Sequence, residues 1–479
     1  MIINRSFKEF KFRHRSKKNQ IIYTSKKIQN ENDVTNLIDN FLIEKNSFIF
    51  ESVEKGKIKG RYTIFGKNPD KIWEFNNKNS YLIRNKNKFK LNRNPSELIE
   101  KIIEEFKFEI PSNLPPISSL ISGYFSYDSI RYIEKISNSC KDDLKIPDVR
   151  LLRPRTLVIH DNLKKKIFYI INIFKDEKIN NYTKKYNEIK LELTKLLIQS
   201  SKKPFLKIDK NKKDNIKVKS NTSKNKFLKI VNKAKKYIKI GDIFQVVLSQ
   251  RFERKIEKKP IEIYNHLRKS NPSPFMFYFN YEDFNVLGSS PEILVRLRKN
   301  RVTIRPIAGT RPRGKNDKED KKYELELLGD KKELAEHLML LDLGRNDVGK
   351  MSKVDSVKVT EKMKVELYSH VMHIVSNVIG IAKNPKNIID ILMSGFPAGT
   401  VSGAPKIRAM EIIDELEITK RKVYAGGIGY FSANGEFDTC IALRTAVAKN
   451  KKFYVQAGAG IVADSKPIKE YEETVNKAK

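Results

Sequence analysis

At 479 residues, with 39% hydrophobic and 10% aromatic residues, the chain has length for two or three domain-sized units and a sizeable core. A formal net charge of +39 invites a nucleic-acid partner, yet lysine is spread along the whole chain and no zinc-finger spacing or RNP-like aromatic segment accompanies it; no specific nucleic acid is expected. No apolar run reaches the roughly twenty residues of a membrane span, the basic N-terminus lacks a signal-like apolar stretch, and two cysteines, Cys140 and Cys440, suit a reducing compartment, so the expectation is no membrane and a cytoplasmic location.

Up to about residue 174, short β-branched and aromatic runs alternate with turn residues, and 47–52, 61–65, 80–84 and 166–174 read as strands. Residues 176–200 read largely as a helix. The stretch 201–226 is polar and lysine-rich, contains Pro204, and reads as a linker or long surface loop. From Phe227 onward the apolar strands lengthen and glycines cluster. The chain thus divides into an N-terminal region 1–200, a linker 201–226 and a C-terminal domain 227–479.

Within that domain, residues 329–340 have helical periodicity, and Glu333 and Glu336, three apart, share one face. Asp330 as N-cap would make Glu333 part of a capping box; Glu336 lies beyond the first turn and has no such role. A second pair, Glu470 and Glu473, follows Pro467 near the end of the sequence, where Glu473 and Lys477 also make an ordinary i,i+4 ion pair. Two pairs of equal spacing raise the possibility of two helices facing each other across a hard cation such as magnesium, which is held by one or two carboxylates and keeps positions for water and a substrate oxygen. With the sequence stopping at Lys479, fraying of the last helix is expected to loosen Glu473.

A short strand, 453–456, runs into Ala457, Gly458, Ala459 and Gly460. Residues 458–463 match the dinucleotide pattern GxGxxA formally, but too little chain follows for a βαβ unit with its acidic residue. The glycines read either as a nest of N–H groups for a carboxylate or as a tight turn. Arg444 lies in the nearly apolar run 439–446, where it must be paired, either by a substrate carboxylate or by an internal acid. His373, between apolar neighbours, reads as a core residue or as a catalytic base. These residues reach as far as metal-assisted work on a small carboxylate.

Read as whole phrases, 241–251 (GDIFQVVLSQR), 288–292 (GSSPE), 305–314 (RPIAGTRPRG), 336–347 (EHLMLLDLGRND), 396–406 (FPAGTVSGAPK) and 456–460 (QAGAG) resemble the chorismate-utilising enzymes, most closely the anthranilate synthase component I branch. The resemblance is dense over 227–479 and thinner before it. It implies an α+β, two-lobed fold of mainly antiparallel sheets packed as a sandwich with flanking helices, and the region 1–200 as a regulatory one. It implies Mg2+ as cofactor on Glu336 and Glu473, supported by Glu333 and Glu470. It implies chorismate contacts at Gly309, Thr310, Thr400, Tyr424, Arg444, Gly458, Ala459, Gly460 and Lys477. Glu292 would protonate the leaving C4 hydroxyl before ammonia adds at C2, and His373 would take the C2 proton in the later elimination of pyruvate.

Two positions separate branches of that family. Members that add water to chorismate place a lysine base where this chain has Gln245, and aminodeoxychorismate synthases commonly carry a nucleophilic lysine where it has Ala308, so the resemblance implies anthranilate as product, with aminodeoxychorismate synthesis as the alternative. Residues 48–54 (FIFESVE) resemble the tryptophan-binding LLES element and 271–276 (NPSPFM) its partner segment, which implies feedback inhibition by L-tryptophan through Ser52, Pro274, Phe275 and Met276. Neither cysteine lies in a nucleophile elbow, so ammonia is expected from a glutamine amidotransferase small subunit, in a heterotetramer of two large and two small subunits.

Overall fold

The computed structural model describes residues 2–28, 32–54, 58–201, 218–368 and 370–478. Two long antiparallel strands, Tyr62–Asn76 and Val149–Asp161, organise the chain by running from one sheet into the other. Pro69 pairs with Pro154 where the register shifts between Pro69 and Lys71. Proline cannot donate to a ladder, so the two strands bend together where they lack N–H groups. On one side of the bend the sheet continues through Ser47–Glu51, Phe275–Asn280, Asn285–Ser290, Thr445–Lys449, Lys452–Ile461 and Gln245–Lys255. On the other side it continues through Leu120–Phe125, Gly427–Ser432, Phe437–Ile441, Ile293–Arg298, Arg301–Ile304 and Val371–Ile381. All of these pairings are antiparallel, as the family resemblance implies.

Strands of the first 200 residues therefore pair directly with strands of the C-terminal part, Ser47–Glu51 with Phe275–Asn280 and Leu120–Phe125 with Gly427–Ser432. Between the layers lies an apolar core that includes Phe48, Tyr124, Phe277, Phe279 and Ile428. A larger core packs the helices Pro95–Glu105, Lys224–Lys239, Ile388–Ser394 and Lys406–Leu416 against the outer faces. The helix expected over 176–200 runs over Tyr182–Ser201. Of the expected linker, residues 202–217 lie outside the described residues; its end is structured, with Lys219–Ser220 paired to the strand Gln245–Lys255 and a helix starting at Lys224 behind its Ser223 cap. Among the described residues, no helix is long and apolar enough to cross a membrane.

Candidate active site

The first carboxylate pair lies on the helix Lys331–Met351. Asp330 caps it, its Oδ1 accepting from the N–H of Lys332 at 3.0 Å and of Glu333 at 3.2 Å. Glu333 does not turn back to complete a capping box. Its Oε1 instead accepts from Arg311, whose guanidinium also binds Glu326 and Asp330. Burial and the adjacent Glu336 raise the Glu333 pKa above the usual carboxylate range. Glu336 accepts from Gln245 Nε2 at 3.0 Å. The helix is anchored behind the site by Asp347, which pairs with the half-buried Lys406 at 2.7 Å; that contact accounts for the acid of the 336–347 phrase and the lysine of 396–406.

The second pair lies on the helix Pro467–Ala478. Glu470 is raised by burial, with a contribution from Glu473. Glu473 pairs with Lys477 at 2.6 Å, and Lys477 also donates to the carbonyl of Gly458 at 3.1 Å. Lys332, bound to Asp464 at 2.9 Å, feels the charges of both Glu336 and Glu470, which ties the two helices to one space. Among the described residues no three His, Cys, Asp or Glu side chains form a closed cluster that could hold an ion unaided. The two pairs supply four carboxylates, two of them raised by burial and by a like-charged neighbour, and carboxylate oxygen is the chemistry a hard divalent cation takes.

Between the helices runs the strand Lys452–Ile461. It is neither the nest nor the tight turn that the glycines suggest, because Gly458, Ala459 and Gly460 continue the strand and face Ser249, Leu248 and Val247. The N–H of Val247 donates to Ser402 and that of Ser249 to Glu417, both away from the glycine strand. Gly460 and Gly458 are thus the non-hydrogen-bonded members of their pairs, and their N–H groups point to the opposite edge. On that edge the neighbouring strand stops pairing at Val455. Two outward N–H groups result without any nest. Glycine also keeps this strand clear: a Cβ at Gly458 would stand 2.7 Å from the Tyr424 hydroxyl, and one at Gly460 would stand 2.6 Å from Gln245 Nε2. Tyr424 is buried, and burial pushes its pKa up to about 12, so it stays a donor.

Arg444 requires a correction too. The run 439–446 is not one strand; it breaks between Phe437–Ile441 and Thr445–Lys449, and Arg444 takes a left-handed φ of 48° in the break. Its side chain has no hydrogen bond or ion pair among the described residues and opens into a cavity of about 870 Å³ also lined by Glu473 and Lys477. Among the described residues no internal acid pairs with it, and Glu473 in the same lining is bound to Lys477. Desolvation lowers its pKa, the condition under which a guanidinium gains most from an incoming carboxylate.

Glu292 sits just before the strand Ile293–Arg298 and is buried, with Oε1 accepting from Thr400 Oγ1 at 3.1 Å and the carboxyl also accepting from the Ile307 N–H. Burial pushes its pKa up to about 8, so the carboxyl carries its proton at neutral pH. Thr400, expected on the substrate, gives its hydroxyl proton to this acid and keeps its acceptor lone pairs.

His373 lies on the strand Val371–Ile381 opposite Thr310. Its Nδ1 is 2.9 Å from the Gly309 carbonyl and 3.1 Å from Thr310 Oγ1. A carbonyl only accepts, so Nδ1 holds the proton and Nε2 is the free base. Burial lowers the His373 pKa, and Arg444 and Lys477 lower it further, keeping the ring neutral. Gly309, at φ +72°, gives the segment the turn that aims its carbonyl at His373.

The structure also brings Ser52, Pro274, Phe275 and Met276 together, on one wall of a cavity of about 1190 Å³. Sequence reasoning missed Arg311 as the clamp on Glu333 and the Ile307 N–H as a donor to Glu292. Both belong to the 305–314 phrase, which was legible as a phrase but not as a set of contacts.

A family model described as chorismate binding enzyme matches residues 45–479. The chain is 45% identical over 480 residues to anthranilate synthase component 1 of Cereibacter sphaeroides, covering 99% of this chain and 96% of that protein. It is 47% identical over 436 residues to anthranilate synthase component 1 of Acetivibrio thermocellus, covering 90% and 88%. The solved structure of anthranilate synthase component I from Streptococcus pneumoniae superposes with a TM-score of 0.78 at 38% identity, over 88% of this chain and 91% of that one. The menaquinone-specific isochorismate synthase of Escherichia coli shares the fold, with a TM-score of 0.72 at 18% identity over 98% and 96%. A protonated glutamic acid, a neutral histidine and an unpaired arginine beside four carboxylates thus occur in a chain matched over nearly its whole length, and the chain belongs to the family of chorismate binding enzymes.

Proposed function

We propose that this chain is the large subunit of an anthranilate synthase, a carbon–oxygen lyase that converts chorismate and ammonia to anthranilate, pyruvate and water at the head of tryptophan biosynthesis. The observation that carries the reading is the opposed protonation of two site residues, with Glu292 raised to about 8 and His373 lowered, so that one is an acid and the other a base at neutral pH.

The Arg444 guanidinium and the outward N–H groups of Gly458 and Gly460 suit the carboxylates of chorismate, with Tyr424, Thr310 and Lys477 around them. Glu336 and Glu473, with Glu333 and Glu470, would hold magnesium, which when bound neutralises the ring carboxylate and orients it. Glu292 gives its proton to the C4 hydroxyl, which leaves as water while ammonia bonds to C2. His373 Nε2 then takes the C2 proton, the enolpyruvyl C–O bond breaks, and the ring becomes aromatic as pyruvate departs. Gln245, tied to Glu336, offers no base for water, and Ala308 no amine for a covalent adduct, which favours anthranilate over the products of sister enzymes.

Both thiols are pushed up by burial and neither serves as a nucleophile, which supports ammonia supply by a separate glutamine amidotransferase subunit in a two-plus-two assembly. The shared wall of Ser52, Pro274, Phe275 and Met276 supports feedback inhibition by L-tryptophan, with the region 1–200 as the regulatory part and 227–479 as the catalytic one. The reading includes a cytoplasmic location, where two free thiols, Cys140 and Cys440, suit a reducing compartment. Purified protein given chorismate, magnesium and ammonium should produce the fluorescence of anthranilate and lose it with EDTA; turnover of chorismate to a different product would replace this reading.

A further inference from the structure

The base His373 needs one orientation of its ring, and its cross-strand partners do not supply it alone. Thr310 faces it from one side and Glu366 from the other. Glu366 is a carboxylate that could capture the imidazole, but it is bound elsewhere. Arg305 holds it at 2.6 and 3.1 Å, and the Tyr368 hydroxyl donates to its Oε2 at 3.3 Å. The Tyr368 ring stands edge-on against the His373 ring, with centroids 5.3 Å apart and planes at 68°. Its backbone is fixed as well, since the Tyr368 N–H closes a turn on Val371 and its carbonyl accepts from Arg313 at 2.8 Å. Tyr368 also lies near enough to Glu292 for the two to couple electrostatically.

We propose that Tyr368 is a positioning residue for the second half of the reaction: its ring wedges the His373 imidazole so that Nε2 addresses the C2 hydrogen, while Arg305 keeps Glu366 off the base. The inference rests on His373 being the elimination base. In the first half, chorismate and ammonia give the aminated intermediate and water through Glu292. In the second, the C2 proton passes to His373 and the enolpyruvyl C–O bond breaks, giving anthranilate and pyruvate. A residue that positions only His373 slows the second half alone, and the intermediate then escapes.

The test is the partition between released intermediate and anthranilate, measured by chromatography with the full-length enzyme, chorismate, ammonium and magnesium. A correctly placed general base contributes about a hundred- to ten-thousand-fold, and a misplacement of about 1 Å costs on the order of a hundredfold. Tyr368→Leu should therefore raise the intermediate-to-anthranilate ratio by about tenfold or more with chorismate consumption within about threefold of the parent. Tyr368→Phe keeps the ring and should stay near the parental ratio. Tyr368→Met, close in length and unbranched, serves if the leucine variant does not fold, with the same expected rise. A parallel fall of chorismate consumption and anthranilate, with an unchanged ratio, would overturn the proposal. His373→Gln separates the two layers: if that variant also leaves the ratio unchanged, the base assignment itself is wrong, whereas a raised ratio there and none in Tyr368→Leu rejects only the role of Tyr368.

Discussion

His373 Nδ1 lies 2.9 Å from the carbonyl oxygen of Gly309, and that carbonyl belongs to the same three-residue segment, 307–309, as the Ile307 N–H that donates to Glu292. The acid and the base are thus set by opposite ends of one short segment, and the protonation of each is fixed by burial rather than by the other's charge.

With its pKa raised to about 8, Glu292 is an effective acid below that value, so the chemical step should decline as pH rises through about 8. His373, lowered below its ordinary value, should set the opposite limb at acidic pH. Glu292→Gln should cost about a hundred- to ten-thousand-fold in chorismate consumption and abolish the alkaline limb.

The same residue links pH to stability. Its folded pKa lies above the ordinary 4.5, so its contribution to folding is complete below 4.5 and is lost as pH rises towards about 8. Glutamine bears no such cost. Thermal melts should show Glu292→Gln gaining on the parent as pH is raised from 5 to about 9, and parallel melting curves across that range would contradict a buried, protonated carboxyl.

Chelation and the carboxylates should act through one event. EDTA should abolish turnover and added magnesium restore it, while Glu336→Gln and Glu473→Gln should each raise the magnesium needed for half-activation. Loss of a ligand's hydrogen-bonded support commonly costs about ten- to a hundredfold in metal affinity, so Arg311→Met, which frees Glu333, should show a smaller shift in the same direction. Equal magnesium dependence in all four proteins would remove the metal site from these helices.

Gly460→Ala tests the cleared strand. A methyl there meets Gln245 Nε2 at 2.6 Å, the group that holds Glu336, while φ at this position is not left-handed and the backbone need not move. The side-chain amide must yield, so folding should survive and KM for chorismate should rise more than kcat falls. A melting temperature lowered by many degrees with unchanged KM would mean that the glycine serves packing only.

Much of this site was legible in the linear sequence because it depends on local geometry. The three-residue spacing of Glu333 with Glu336 and of Glu470 with Glu473 puts each pair on one helix face, and Asp330 caps its helix wherever that helix lies. The phrases that mark the family are local in the same sense. Partners across the chain were not legible. That Arg444 stands in a strand break without an acid, that the glycines are strand edge and not nest, and that Thr400 serves Glu292 all depend on which strand stops where and which neighbour has already used its hydrogen bonds. Those facts are set by pairing between residues tens to hundreds apart, and burial, which fixes the opposed protonation of Glu292 and His373, exists only once the two sheets have closed on each other.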